Sequence, residues 1–353
     1  MQELEIVQVV RRFGPVGGME EYVWLLTKAL SGCGIAVTVV CEESVQNSVE
    51  GVNVVTLGVG RKKPRWRSYM NFARKVKYWQ DSEGSSDTVL HSHELIPNAD
   101  IFTFHSTLHG QGMDGDWWRR MDPTWHINQW LESRVVRSHS LQFLVPNSNL
   151  LLEQLSVRYP NAAHKCIAAI PPGVELAPII TSPKIPTLGF LGREWKRKGL
   201  RRLVEVFREL QSRVPEARLV LGGMPPDSVS NLVSGLERNV DFLGQVRDKE
   251  DFYGRINLLV HPAYLEAFGM VVTEAMTRGI PVLVSDQTGA ASEVGDIRGQ
   301  VLSLNSSNKD WADAAQRLCS WTFPSTEIYR RSWDQVAAEY VQVYQQALKA
   351  KLK

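Results

Sequence analysis

"RINLLVHPAYLEAFGMVVTEAMTRGIPVLVSD", residues 255 to 286, decides the fold. It opens on an apolar, β-branched run, "RINLLVHPAY", and closes on a second, "IPVLVSD". Between them "GMVVTEAMTRG" has the apolar spacing of a helix and ends at a glycine. Strand, helix and strand in this order imply parallel strands joined by a crossover helix. The loop "LEAFG" carries Glu266 and the helix carries Glu274, in an otherwise apolar stretch. On its own such a pair fits an ordinary loop and one solvated carboxylate as well as it fits a ligand site.

The same alternation runs outward in both directions. Upstream, "PTLGFLG" is a strand, "GLRRLVEVFRELQSRV" a helix, and "ARLVLGG" and "NVDFLG" are strands. Nearer the start, "EIVQVV" precedes the helical pattern "MEEYVWLLTKALSG", and "IAVTVV", "VNVVTL", "TVLHSH", "DIFTFH" and "LQFLVPNS" read as further strands. Prolines and a glycine in "IPPGVELAPIITSPKIP" mark a linker near residues 173–185. At 353 residues the chain is too long for one core of usual size. The expectation is two α/β domains, 1–175 and 176–329, with a final amphipathic helix from about 330 to 353 returning to the first. Val336, Tyr340, Val343, Tyr344 and Leu348 line one face of that helix. A cleft between two such halves is the default ligand site.

Composition excludes several classes. Lys and Arg number 40 against 38 Asp and Glu, which argues against a chain devoted to nucleic acid. "MQELEIVQVVRRFGP" reads as a first strand rather than a leader, and no stretch has the length and apolarity of a membrane span. The four cysteines, Cys33, Cys41, Cys166 and Cys319, form no Cys-x-x-Cys pair and are expected to be reduced and mostly buried.

Three segments carry candidate chemistry. In "FGPVGGMEEY", Gly17 and Gly18 let backbone N–H groups approach an anion at a helix start, although the pattern is not the dinucleotide fingerprint. In "GFLGREWKRKGL", Arg193 and Lys198 follow a strand and precede a helix, suited to charge on a departing diphosphate. Arg197, Arg201 and Arg202 are expected to be solvated. In the opening stretch, backbone N–H groups at Phe268, Gly269, Met270 and Val271 sit at a helix start. Glu274 suits a ribose diol and Glu266 sugar hydroxyls, because a carboxylate offers two acceptors and no donor.

Together "GGME", "GREWKRKG" and "EAFGMVVTE" before "GIPVL" resemble family-4 retaining glycosyltransferases of the GT-B fold, over almost the whole chain. The resemblance implies two Rossmann-like doubly wound domains and transfer of a hexose-type sugar from a nucleotide donor, expected to be a UDP-sugar, without metal or other cofactor. It implies that Arg193 and Lys198 grip the diphosphate, that Glu274 holds the ribose, and that Glu266 and the 268–271 backbone hold the sugar. Gly17 and Gly18 then lie near the phosphates and His105 near the reacting carbon. "HPAYLEAFG" and "IPNAD" are most similar to lipopolysaccharide-core α-glycosyltransferases, which implies a glycan or lipid-linked acceptor at the inner face of the cytoplasmic membrane. An epimerase acting on nucleotide sugars and a non-catalytic carbohydrate-binding protein are the alternatives.

The acceptor side has its own signals. "RKKPRWRSYMNFARKVKYW", residues 61 to 79, contains no acid and reads as a basic helix for an anionic membrane surface or as a solvated helix. Lys62, Lys63, Arg65, Trp66 and Arg67 are its candidate contacts. Trp117, Trp118, Arg119 and Arg120 suit an acceptor loop. Asp114 and Asp116 lie in a glycine-rich loop rather than at a strand end, so no metal is assigned to them, nor to His91, His93 and His109.

Overall fold

The computed structural model describes residues 4–46, 49–60, 63–85, 87–108, 123–181 and 183–352. Lys62, His109, Asp114, Asp116, Trp117, Trp118, Arg119 and Arg120 lie outside the described residues. The chain divides into two units, Met1–Gly173 with Arg331–Lys353, and Val174–Arg330.

The first unit is built on six strands: β1 (Glu5–Val9), β2 (Ala36–Cys41), β3 (Val52–Thr56), β4 (Val89–Ser92), β5 (Ile101–Phe104) and β6 (Phe143–Pro146). They pair in parallel in the order β3-β2-β1-β4-β5-β6. Both faces of a parallel sheet are covered, so β4 and β5 are buried along their whole length. The described helices are α1 (Gly18–Gly32), α2 (Arg65–Glu83), α3 (Pro123–Val136) and α4 (Asn149–Arg158). Glu20 and Glu21 sit in the first turn of α1, where the helix dipole favours them. The Ser148 hydroxyl caps α4 by accepting from the Leu151 N–H.

The second unit repeats the plan. Its strands are β7 (Thr187–Leu191), β8 (Arg218–Gly222), β9 (Val240–Gly244), β10 (Leu258–His261), β11 (Val282–Ser285) and β12 (Gly299–Leu302). Their order, β9-β8-β7-β10-β11-β12, is that of the first sheet shifted by six labels, and all pair in parallel. The helices are α5 (Leu200–Gln211), α6 (Lys249–Tyr253), α7 (Met270–Thr277), α8 (Ala291–Val294) and α9 (Asn308–Cys319). Alternate strand residues feed two cores: Leu219 and Leu221 pack with Phe207 and Trp311, whereas Val220 packs with Phe252 and Met276. That alternation makes the sheet doubly wound.

The last helix, α10 (Trp333–Lys351), belongs to the first unit. Ser332 and Gln335 close a capping box at its start, and Val336, Tyr340, Val343, Tyr344 and Leu348 are buried. Its Tyr340 hydroxyl lies 2.9 Å from that of Tyr22 on α1.

One expectation about the thiols needs correcting. All four cysteines are free, but of them only Cys41 is buried, and Cys33 is exposed. Cys33 caps the end of α1, where the chain turns outward before β2.

Candidate functional site

In each sheet the chain runs from the first strand of the unit to one side and later returns to the other side. The switch falls between β1 and β4 in the first unit and between β7 and β10 in the second. Loops leaving the C-terminal ends of strands at such a switch point separate and leave a crevice, the usual ligand site of open α/β sheets.

In the second unit those loops are 192–199 and 262–269. Tyr264 N–H donates to the Arg197 carbonyl at 2.9 Å, tying one loop to the other. Gly199 adopts φ +81° with its α-carbon against the Pro262 carbonyl, an approach that leaves no room for a Cβ. This contact brings Glu266 to Lys198 (3.2 Å), Arg197 (3.4 Å) and His261 (3.6 Å). Burial alone would raise the Glu266 pKa, but Lys198, His261 and Arg197 outweigh it and hold the carboxyl well below the usual range. Burial pushes the His261 pKa down and so keeps that imidazole neutral. Glu266 Oε2 and both His261 ring nitrogens are buried without a hydrogen-bond partner, a set suited to a ligand hydroxyl. Arg193 is exposed and pairs with no described residue.

Gly269 follows at φ +93°, a left-handed position that a side chain resists, and α7 starts from it. The first N–H groups of a helix lack intrahelical acceptors, so the backbone from Gly269 to Val271 offers donors and a positive dipole end. Phe268 has its side chain in the core, leaving only its backbone for a ligand. In the second turn, Glu274 is buried and already held. Its Oε1 accepts from Lys249 Nζ and its Oε2 from the Tyr253 hydroxyl, each at 2.9 Å. A ribose diol would join these partners on the remaining lone pairs.

Two cations depart from expectation. Arg197 is not a solvated residue: it donates to Glu194 and to the Leu265 carbonyl and approaches Glu266. Arg202 likewise stands 5.2 Å from the centre of the Trp311 ring and donates to the carbonyls of Leu304 and Ser306. Residue spacing showed only that six cations were clustered between Arg193 and Arg202; the turn geometry decides which way each points.

In the first unit, His105 directly follows β5 and His93 directly follows β4. His105 Nε2 lies 2.8 Å from His93 Nδ1, and His93 Nε2 lies 2.5 Å from Gln8 Oε1. Gln8 Nε2 donates to the Tyr344 hydroxyl at 2.9 Å, which lies 2.8 Å from His91 Nδ1. His91 Nε2 reaches the Thr103 hydroxyl at 2.7 Å, and from there the bonds run to Tyr340 and Tyr22. Burial depresses the pKa of His91, His93 and His105, that of His105 to about 3, so all three imidazoles are neutral near pH 7. Gly17 and Gly18 open α1 in this same unit, but the Glu20 carboxylate packs over Gly17 and competes with any anion there.

On α2, Lys63 just before it and Arg65 and Arg67 at its start are exposed, and Arg67 stacks on the half-buried Trp66. The helix buries Ser68, Phe72, Val76 and Trp79 in the first unit. Lys75 donates to the carbonyls of Leu57 and Gly58, and Lys77 pairs with Asp81. A pocket of about 210 Å³ opens between α2 and α3, its apolar floor including Met70, Ala73 and Leu131 and its cations Arg74, Lys77 and Arg134.

Two Rossmann-like units with one strand order, the second carrying a helix start and clustered cations at its switch point, define the class of fold as GT-B. Residues 16–178 match the model "Glycosyltransferase Family 4" and residues 185–320 the model "Glycosyl transferases group 1". The chain belongs to family 4 of the glycosyltransferases. It is 27% identical to the phosphatidyl-myo-inositol mannosyltransferase of Mycolicibacterium smegmatis, over 97% of this chain and 93% of that protein. It is 34% identical to the lipopolysaccharide glucosyltransferase WaaG of Escherichia coli, over 30% of this chain and 29% of that protein. A crystal structure of WaaG, described as a glycosyltransferase involved in lipopolysaccharide biosynthesis, superposes with a TM-score of 0.76 at 18% identity, covering 98% of both chains. Anabaena HepE in complex with UDP-glucose superposes with a TM-score of 0.65 at 16% identity, covering 98% of this chain and 99% of that one.

Proposed function

We propose that this glycosyltransferase moves a hexose-type sugar from a UDP-sugar to a hydroxyl of a lipid-linked cell-envelope glycan, such as lipopolysaccharide core, with retention and without a metal. The observation that carries the reading is the buried Glu266, whose Oε2 is ion-paired with Lys198 and Arg197 yet makes no hydrogen bond, beside His261 and next to the start of α7. The carboxylate takes sugar hydroxyls, the α7 N–H groups and the cations take the diphosphate, and Glu274 takes the ribose. UDP is favoured by HepE, whose structure contains UDP-glucose. A lipid-linked acceptor is favoured by the names of two relatives and by the cationic, apolar-floored pocket beside α2.

In this reaction the bond from the sugar's anomeric carbon to the diphosphate breaks. A bond to the acceptor oxygen forms on the same face, and the acceptor proton passes to the departing phosphate oxygen. Lys198 and Arg193 stabilise the charge that develops on the diphosphate. Holding both substrates in place removes much of the entropic barrier. No carboxylate nucleophile is needed, unlike in a retaining glycosidase. His105 serves the sugar, and Lys63, Arg65 and Arg67 rest on the anionic inner face of the cytoplasmic membrane. No described helix is long and apolar enough to cross a membrane.

The test is a thermal-shift panel of UDP-, GDP- and ADP-sugars with EDTA present, followed by a transfer assay on a glycolipid acceptor. A ligand that binds only the folded state raises Tm, so the UDP-sugar is expected to give the largest rise and a transferred sugar. Epimerised donor without transfer identifies an epimerase, and binding without turnover identifies a carbohydrate-binding protein. Activity lost in EDTA and restored by manganese overturns the metal-free mechanism.

A further inference from the structure

The eight polar groups from Tyr22 to His105 form one unbroken chain of seven hydrogen bonds inside the first unit. Their polarity follows from the orientation of the Gln8 amide, with Oε1 towards His93 and Nε2 towards Tyr344. Its Oε1 only accepts, so His93 must carry its proton on Nε2, facing Gln8. A neutral imidazole has a single N–H, so His93 Nδ1 is an acceptor and His105 must donate to it from Nε2. On the other side, Gln8 Nε2 donates to Tyr344, whose hydroxyl proton then goes to His91 Nδ1. His91 Nε2–H donates to Thr103, Thr103 to Tyr340, and Tyr340 to Tyr22. Every link donates in the same direction, and no donor faces a donor.

The end of the chain is what matters. With Nε2 committed to His93, His105 retains a lone pair on Nδ1, and that atom forms no hydrogen bond with a described residue. The ring is fixed by packing as well: its centroid stands 4.5 Å from that of Tyr22, edge to face. Turning the Gln8 amide over would reverse every bond on the His105 side and convert Nδ1 into a donor. That turn would also require the Tyr344 hydroxyl to donate to Gln8 and every bond from Tyr344 to Tyr22 to reverse with it.

We infer that Gln8, His93 and Tyr344 are positioning residues that hold His105 as its Nε2–H tautomer, so that Nδ1 is presented as an acceptor for a sugar hydroxyl. This rests on the reading of His105 as a group that serves the sugar. Tyr344 lies on α10, so the returning C-terminal helix fixes the chemistry of a histidine 239 positions earlier in the sequence. It follows that α10 does more than cover the apolar face of the first unit.

The experiment pairs histidine ring-nitrogen NMR of the full chain with steady-state kinetics. The wild-type protein is expected to show His105 protonated at Nε2. Tyr344→Phe removes one hydroxyl and little packing; the Nδ1–H form should appear and kcat fall about tenfold, as for one buried hydrogen bond lost from the transition state, with KM little changed. His93→Leu should lose at least as much, and His93→Gln should restore most of it, because an amide also accepts on one side and donates on the other. A wild-type His105 protonated at Nδ1 overturns the inference, as does a Tyr344→Phe variant with unchanged tautomer and kcat. A wild-type protein that binds and turns over no sugar nucleotide overturns the functional reading instead, whatever the tautomer.

Discussion

Lys198 and Glu266 face each other at 3.2 Å, in loops that follow two neighbouring parallel strands, β7 and β10. The carboxylate does not neutralise the cations for the sake of stability alone, because its Oε2 is left without a hydrogen bond. It keeps two positive groups aimed at one place while retaining an acceptor for a ligand. Removing Lys198 tests this directly. Lys198→Ala should lower kcat with a UDP-sugar by about 100- to 1000-fold, the range for losing one preorganised electrostatic contact to a leaving group. A change of less than threefold would remove Lys198 from the reaction.

Glu274 is the next test, since Lys249 and Tyr253 already occupy part of its carboxylate. If it also holds a ribose, Glu274→Ala should weaken UDP binding at least about tenfold in titration calorimetry, in line with losing hydrogen bonds to a charged group. If it only joins α7 to α6, Tm will fall while the affinity of the remaining folded protein for UDP stays the same.

The buried imidazoles predict an acid-sensitive fold. The folded pKa of His105 is about 3, and burial also depresses those of His91, His93 and His261. Unfolded histidine titrates near about 6.5, so below that pH the unfolded chain binds more protons and stability falls. Their contribution is complete above about pH 6.5 and for His105 is lost progressively down to about 3. Glu94 acts the other way: burial raises its pKa to about 7, against the pull of Arg11, so its contribution is lost as pH rises from about 4.5 to 7. Melting curves of Glu94→Gln between pH 6.5 and about 5, above the range in which unfolded carboxylates such as Glu266 take up protons, isolate the histidines; Tm should drop steadily over that interval, and a flat profile would mean that the imidazoles are not held neutral.

The exposed cations Lys63, Arg65 and Arg67 at the start of α2 predict an electrostatic membrane contact. Changing Lys62, Lys63, Arg65 and Arg67 to Gln should weaken binding to anionic vesicles by about 1 kcal/mol per charge near the surface, and salt should reduce what remains. Equal binding by wild type and variant, or equal binding to neutral vesicles, would make the helix a solvated one.

Much of this was readable beforehand. Parallel α/β architecture followed from "RINLLVHPAY", "GMVVTEAMTRG" and "IPVLVSD", because apolar periodicity and chain handedness leave few alternatives. Glu266 and Glu274 stood out because each is an acid in an apolar setting. The partners did not stand out. Lys249 is distant from Glu274 in sequence, and only the packing of α6 on α7 joins them. Arg197 looked like one more surface charge, and its direction came from the contact of Gly199 with Pro262.

The sequence by itself determined the local elements, the two-unit plan and the residue types available for chemistry, because these depend on patterns a few residues long. Tertiary structure alone decided which polar groups meet. His105 owes its bonding to Gln8 and Tyr344 through three strands and a helix that are far apart along the chain. A tautomer is set by what faces each ring nitrogen, and no spacing of residues along a chain encodes that.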